Sequence, residues 1–122
     1  MKELKVLVVD DEIEFAKTMA ERMALRSIHA EVATEGKEAL DLIKEKDFDV
    51  VVLDLVLQQS RGLEVLKEIK SVRPELAVIL LSGRGSDYDV QEGKRIGAFD
   101  YLIKPVQIED LIEKMKQAIR RR

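Results

Sequence analysis

Apolar and polar residues follow two kinds of block along this chain. Runs rich in Val, Ile and Leu occupy Lys5–Asp10, Asp49–Asp54 and Ala77–Ser82 with almost no polar interruption. Short uninterrupted runs predict strands covered on both faces, as in a parallel sheet. Weaker apolar segments at Ala30–Ala33 and Asp100–Lys104 predict two more strands. The intervening segments have helical spacing. Phe15, Met19 and Met23 recur every fourth residue; Gly36, Leu40 and Ile43 form a second stripe, and Leu63, Leu66 and Ile69 a third. The clearest is Ile108, Leu111, Ile112, Met115 and Ile119, one apolar face of a C-terminal helix. A helix near Asp87–Ile96 has the thinnest support. Its apolar positions are Val90 and Ile96, and Gly93 at its middle costs about 1 kcal/mol relative to Ala.

The order is a β-α unit repeated five times, which predicts an α/β fold with a parallel sheet between helices. Right-handed crossovers bring every strand C-terminus to one edge. A chain of 122 residues suits a single domain, taken here as 1–122. There is no internal repeat, low-complexity segment or linker.

The residues at those strand ends carry the candidate chemistry. The first strand runs into Asp10, Asp11 and Glu12, the third ends at Asp54, the fourth at Ser82 and the fifth at Lys104. Two carboxylates about 4 Å apart repel by on the order of 4 kcal/mol at an effective dielectric near 20. Acids clustered at one rim become favourable when a divalent cation sits among them, and oxygen-only ligands favour a hard ion such as Mg²⁺. An ammonium and a hydroxyl beside a carboxylate complete a place for a phosphoryl group. In open α/β sheets ligands bind at this carboxyl edge. Taken singly, each residue has a plainer reading: Asp10 as a cap, Asp11 and Glu12 as acids at a helix start, Ser82 as a loop serine, Lys104 as a solvated lysine.

Composition narrows the function classes. The balance of 21 basic and 24 acidic residues, net −3, argues against direct nucleic-acid binding. The absence of cysteine removes disulfides, thiol nucleophiles and Cys-rich zinc sites. The N-terminal apolar run is too short for a signal peptide or a membrane span, so a soluble, cytoplasmic protein without membrane contact is expected.

The ordered set "VVDDE" (8–12), "DVVVLDL" (49–55), Gly62, "LLSG" (80–83) and "GAFDYLIKP" (97–105) resembles the receiver domain of two-component response regulators over essentially the full chain. The resemblance implies a doubly wound, flavodoxin-like five-stranded parallel sheet in order 2-1-3-4-5. It implies Asp54 as phosphoacceptor, with Lys104 and Ser82 as the groups that bind the phosphoryl. It implies Mg²⁺ held by Asp10, Asp11, Asp54 and the Val56 carbonyl. Ser82 and Tyr101 take the place of the switch pair, and Pro105 follows a cis bond. Partners implied are a sensor histidine kinase or a histidine phosphotransfer protein as donor, a downstream output domain or protein, and a homodimer formed on phosphorylation. The side chains two residues beyond Asp54 and Ser82 are Val56 and Arg84; neither orients a water as an amide or carboxylate would, so a long-lived phosphoryl group is expected.

The chain departs from the family pattern at Gln58 and Ile13, both often Pro. His29 reads as incidental, and "GRGS" (83–86) lacks the Lys of a Walker loop. Competing readings are a receiver-shaped binding module that needs no phosphorylation and an aspartyl-nucleophile phosphatase. The former is disfavoured because Asp54, the acidic pair and Lys104 are all present. The latter is disfavoured because Val56 stands where its second acid belongs. A flavin-binding protein is weaker still, since no Ser/Thr-rich loop follows the first strand.

Overall fold

The computed structural model describes residues 3–57, 61–83 and 87–120. The strands are β1 (Lys5–Val9), β2 (His29–Ala33), β3 (Val50–Asp54), β4 (Ala77–Ser82) and β5 (Asp100–Ile103). They alternate with helices α1 (Ile13–Ala24), α2 (Gly36–Glu45), α3 (Gly62–Val72), α4 (Asp87–Ile96) and α5 (Ile108–Arg120). All strand pairs are parallel, in the order β2-β1-β3-β4-β5.

The sheet divides the interior into two cores, and successive strand residues feed alternate sides. Leu7, Val9, Val51, Leu53, Val78 and Leu80 pack with α2 and α3. Val6, Val8, Val50, Val52, Ile79 and Leu81 pack with α1 and α5. This two-sided burial is why the three central strands read as continuous apolar runs. The outer strands β2 and β5 are only half-buried over most of their length and carry more polar residues.

The helix with the weakest sequence signal is present, and Gly93 explains how. A Cβ at that position would run into Leu80 Cδ1, a fully buried side chain of β4. The glycine lets α4 approach the sheet, and close packing offsets its helix penalty. Gly97 ends the helix at φ +133°, with its N–H and that of Ala98 returning to the carbonyl of Gly93. At the start of β5, Asp100 binds a lysine from each flanking helix: Lys114 of α5, and Lys94 of α4 at 3.4 Å.

Helix α1 stops differently. The N–H of Ile28 bonds the Met23 carbonyl and that of Ser27 bonds Ala24, a terminal arrangement that places Ser27 at φ +61°. A side chain in this left-handed conformation costs about 1–2 kcal/mol. Ser27→Gly is therefore expected to raise unfolding stability by roughly 0.5 kcal/mol, the relief being partly offset by the freer unfolded chain. Urea titration of the two proteins checks this, and a less stable glycine variant would contradict it.

Candidate functional site

The carboxyl ends of β1, β3, β4 and β5 meet at one rim. Ladder-type bonds continue just past the strands: Asp10 N–H donates to the Ala33 carbonyl, Leu55 N–H to Leu81, and Lys104 N–H to Ser82. These bonds fix the backbone beneath each candidate residue. Asp10 is fully buried, and Asp54 and Ser82 are each 4% exposed.

Asp10 and Asp54 share a local geometry. Each turns Oδ1 back to the backbone N–H two residues on, Glu12 at 2.9 Å and Val56 at 3.0 Å. Each thereby leaves Oδ2 facing inward. Lys104 reaches between them: its Nζ lies 2.8 Å from Asp10 Oδ2, 3.1 Å from Asp54 Oδ2 and 2.8 Å from Glu12 Oε1. The Asp10 contact is short but poorly aligned, so this buried Oδ2 has an ion-pair neighbour and no hydrogen-bond donor among the described residues. The Lys104–Pro105 peptide is cis.

Burial is the largest influence on Asp10 and raises its pKa from 3.8 to about 6, with the nearby Asp54 charge adding to it. The Lys104 ammonium and the Glu12 N–H oppose that rise without cancelling it. Burial also pulls Lys104 down, but the close carboxylates of Asp10, Glu12 and Asp54 outweigh it and hold the ammonium above the ordinary lysine range. At neutral pH the group thus sets three acids against one fixed cation.

Those three acids fit a hard divalent ion. Ligand oxygens of Asp10, Glu12 and Asp54 all lie within 4.8 Å of one another. Every donor is oxygen, the excess charge is negative, and the buried Asp10 Oδ2 lacks a hydrogen bond. Glu12 joins this group where sequence reasoning treated it as an acid at a helix start. The adjacent carboxylates of "VVDDE" were the available signal. Asp11 is half-buried and falls outside the group of three.

The remaining sequence candidates lie around this centre. Ser82 closes β4, and Tyr101 lies on the neighbouring β5, packed against the α2–α3 core with Lys94 Nζ 5.4 Å from its ring centre. Val56 is 73% exposed beside the cluster and bridges to Arg61. Arg84 and Gln58 lie outside the described residues. His29 begins β2, largely exposed, 3.8 Å from Glu31. Among the described residues no helix is long and apolar enough to cross a membrane.

Comparison with known proteins agrees with this architecture. The model of the response regulator receiver domain family matches residues 6–116. Response regulator MprA of Mycolicibacterium vanbaalenii is 35% identical over 118 residues, 97% of this chain and 51% of that protein. The chain thus spans about half the length of the curated relatives it matches. A receiver domain protein (CheY-like) from Methanospirillum hungatei superposes with a TM-score of 0.94 at 26% identity, covering 98% of this chain and 96% of that one. A Burkholderia pseudomallei response regulator, solved with a phosphorylated aspartic acid and a calcium ion, superposes at 0.89 with 26% identity, over 98% of this chain and 70% of its own.

Proposed function

The chain belongs to the response regulator receiver domain family, and from that premise we propose that it is a phosphorylation switch with Asp54 as phosphoacceptor. The observation that carries this reading is the buried Asp54 carboxylate, with one oxygen held by its own loop and the other facing the Lys104 ammonium at 3.1 Å. An Asp54 oxygen attacks phosphorus in line. The bond from phosphorus to the donor nitrogen breaks, and its electron pair leaves with the imidazole of a phosphohistidine. The product is an acyl phosphate. Lys104 stabilises charge on the equatorial oxygens. A Mg²⁺ ion held by Asp10, Asp54, the Val56 carbonyl and Asp11 or Glu12 supplies further charge neutralisation when bound.

The phosphohistidine donor belongs to a sensor histidine kinase or a histidine phosphotransfer protein. Ser82 donates to the new phosphoryl group, and Tyr101 moves toward the space it leaves. That changes the face formed by α4, β5 and α5, which an output domain, a target protein or a second copy reads. The Burkholderia pseudomallei relative with its phosphorylated aspartic acid supports the same chemistry in a related fold.

Intact mass after incubation with acetyl phosphate and Mg²⁺ tests the reading. One added phosphate is expected, lost in chelator and absent from Asp54→Asn. Undiminished labelling of Asp54→Asn would refute the assignment. Decay of the same label is expected to be slower in wild type than in Val56→Asn, because Val56 cannot hydrogen-bond an attacking water; equal decay removes that role.

A further inference from the structure

We propose that Phe15 is a positioning residue for Lys104, an aromatic seat that holds the ammonium while its carboxylate partners are drawn into the reaction; this rests on the phosphoacceptor reading above. The Lys104 Nζ lies 4.6 Å from the centre of the Phe15 ring, on the first turn of α1. Its ion-pair partners among the described residues are Asp10, Glu12 and Asp54. Each is open to claim by another ligand. Phosphorylation turns the attacking Asp54 oxygen into the uncharged bridging oxygen of an acyl phosphate, and the three acids form the group suited to a divalent ion. The ring alone among these contacts has no charge to be neutralised and no lone pair to be coordinated.

A lysine has a flexible four-carbon stem, so an ammonium that loses its ion pairs ordinarily swings to water. The Lys104 side chain is 15% exposed, and cation–π attraction strengthens as water is excluded. The seat keeps Nζ within reach of the place where phosphoryl oxygens appear. Phe15 also packs, half-buried, against the α1–α5 core. The plain alternative is that it fills space and nothing more, and aliphatic replacement separates the two.

The full chain is compared with Phe15→Leu, Phe15→Met and Phe15→Tyr. In the metal-free proteins, NMR of the Lys104 ε-methylene protons is expected to show an upfield ring-current shift in wild type and Phe15→Tyr that is lost with Leu or Met. With acetyl phosphate and saturating Mg²⁺, the aliphatic variants are expected to label about threefold to tenfold more slowly, and Phe15→Tyr at about the wild-type rate. In a Lys104→Met background the same substitutions are expected to change nothing further. Two aliphatic variants are used so that poor folding of one leaves the other. Wild-type labelling rates in folded Leu or Met variants, or ε-protons that do not shift on loss of the ring, would overturn the seat. Failure of wild type itself to label would sink the phosphoacceptor reading, while the ring-current measurement still decides the seat.

Discussion

Gly62→Ala is expected to lower the thermal midpoint by about 10 °C or more and to remove most phosphoryl acceptance at temperatures where the variant remains folded. The added Cβ would stand 2.5 Å from the Asp54 carbonyl oxygen, 2.6 Å from Leu55 Cα and 2.7 Å from the Leu55 carbonyl oxygen. All three are backbone atoms, so no side-chain rotation relieves the overlap. The Gly62 N–H also donates to the Leu55 carbonyl at 3.0 Å, which ties the start of α3 to the loop after β3. Relief requires moving that loop, and Asp54 with it. Overpacking of this kind costs about 1–3 kcal/mol or more, and 1 kcal/mol shifts the midpoint of a domain this size by roughly 4 °C; contact with three backbone atoms puts Gly62→Ala at the upper end. Gly83 is the matched control: among the described residues beyond its chain neighbours, no atom lies within 4 Å of a Cβ placed there, and Gly83→Ala is expected to melt with wild type. A Gly62→Ala protein melting within about 2 °C of wild type would show that the loop yields freely.

The second large effect belongs to Asp10. Its carboxyl titrates near 6 in the fold, against an ordinary value of 3.8, so between those values the native state holds a proton that the unfolded chain has released. Stability from this group is then fully present below about pH 3.8 and is lost as the pH rises through about 6. At pH 7 a metal-free wild type bears a penalty of up to about 3 kcal/mol that an amide does not. Asp10→Asn is expected to be more stable at pH 7 by about 1–3 kcal/mol, with the gap closing toward pH 4. Adding Mg²⁺ is expected to raise the wild-type midpoint and leave that of Asp10→Asn nearly unmoved, since a ligand that binds only the folded state stabilises it by mass action. Denaturant titrations at pH 4, 5, 6 and 7, with Mg²⁺ and with chelator, check both parts. A variant less stable than wild type at pH 7 without metal would mean that the Lys104 contact outweighs desolvation.

What the sequence made legible follows from how burial writes itself into residue choice. The central strands stand out because both faces are covered, so Val50–Leu53 and Val78–Leu81 carry no polar residue at all. The outer strands each keep polar residues at half-buried positions, and their signal weakens accordingly. Gly93 shows the opposite limit: its helix penalty is visible in sequence, whereas the Leu80 side chain that requires it lies on a different element. At the site, the residue types at the strand ends were readable. Which of three neighbouring acids turns inward was not, because that depends on the turn by which Asp10 binds the Glu12 N–H. The aromatic contact was hidden for a similar reason. Phe15 reads as one member of an apolar stripe until β5 brings Lys104 over its ring.

Lys104 gathers residues from distant parts of the chain: it meets Asp54 across 50 positions and Glu12 across 92. On a ribosome the acids of β1 and β3 therefore emerge well before the ammonium that partners them. A nascent chain stopped short of residue 104 holds the acids without their internal counter-ion, at a repulsion of on the order of a few kcal/mol per close pair. The rim can close only after the last βα unit is made, so its formation is tied to late, long-range docking. A nascent chain that has not yet presented Lys104 therefore cannot assemble the rim, whatever has already folded before it.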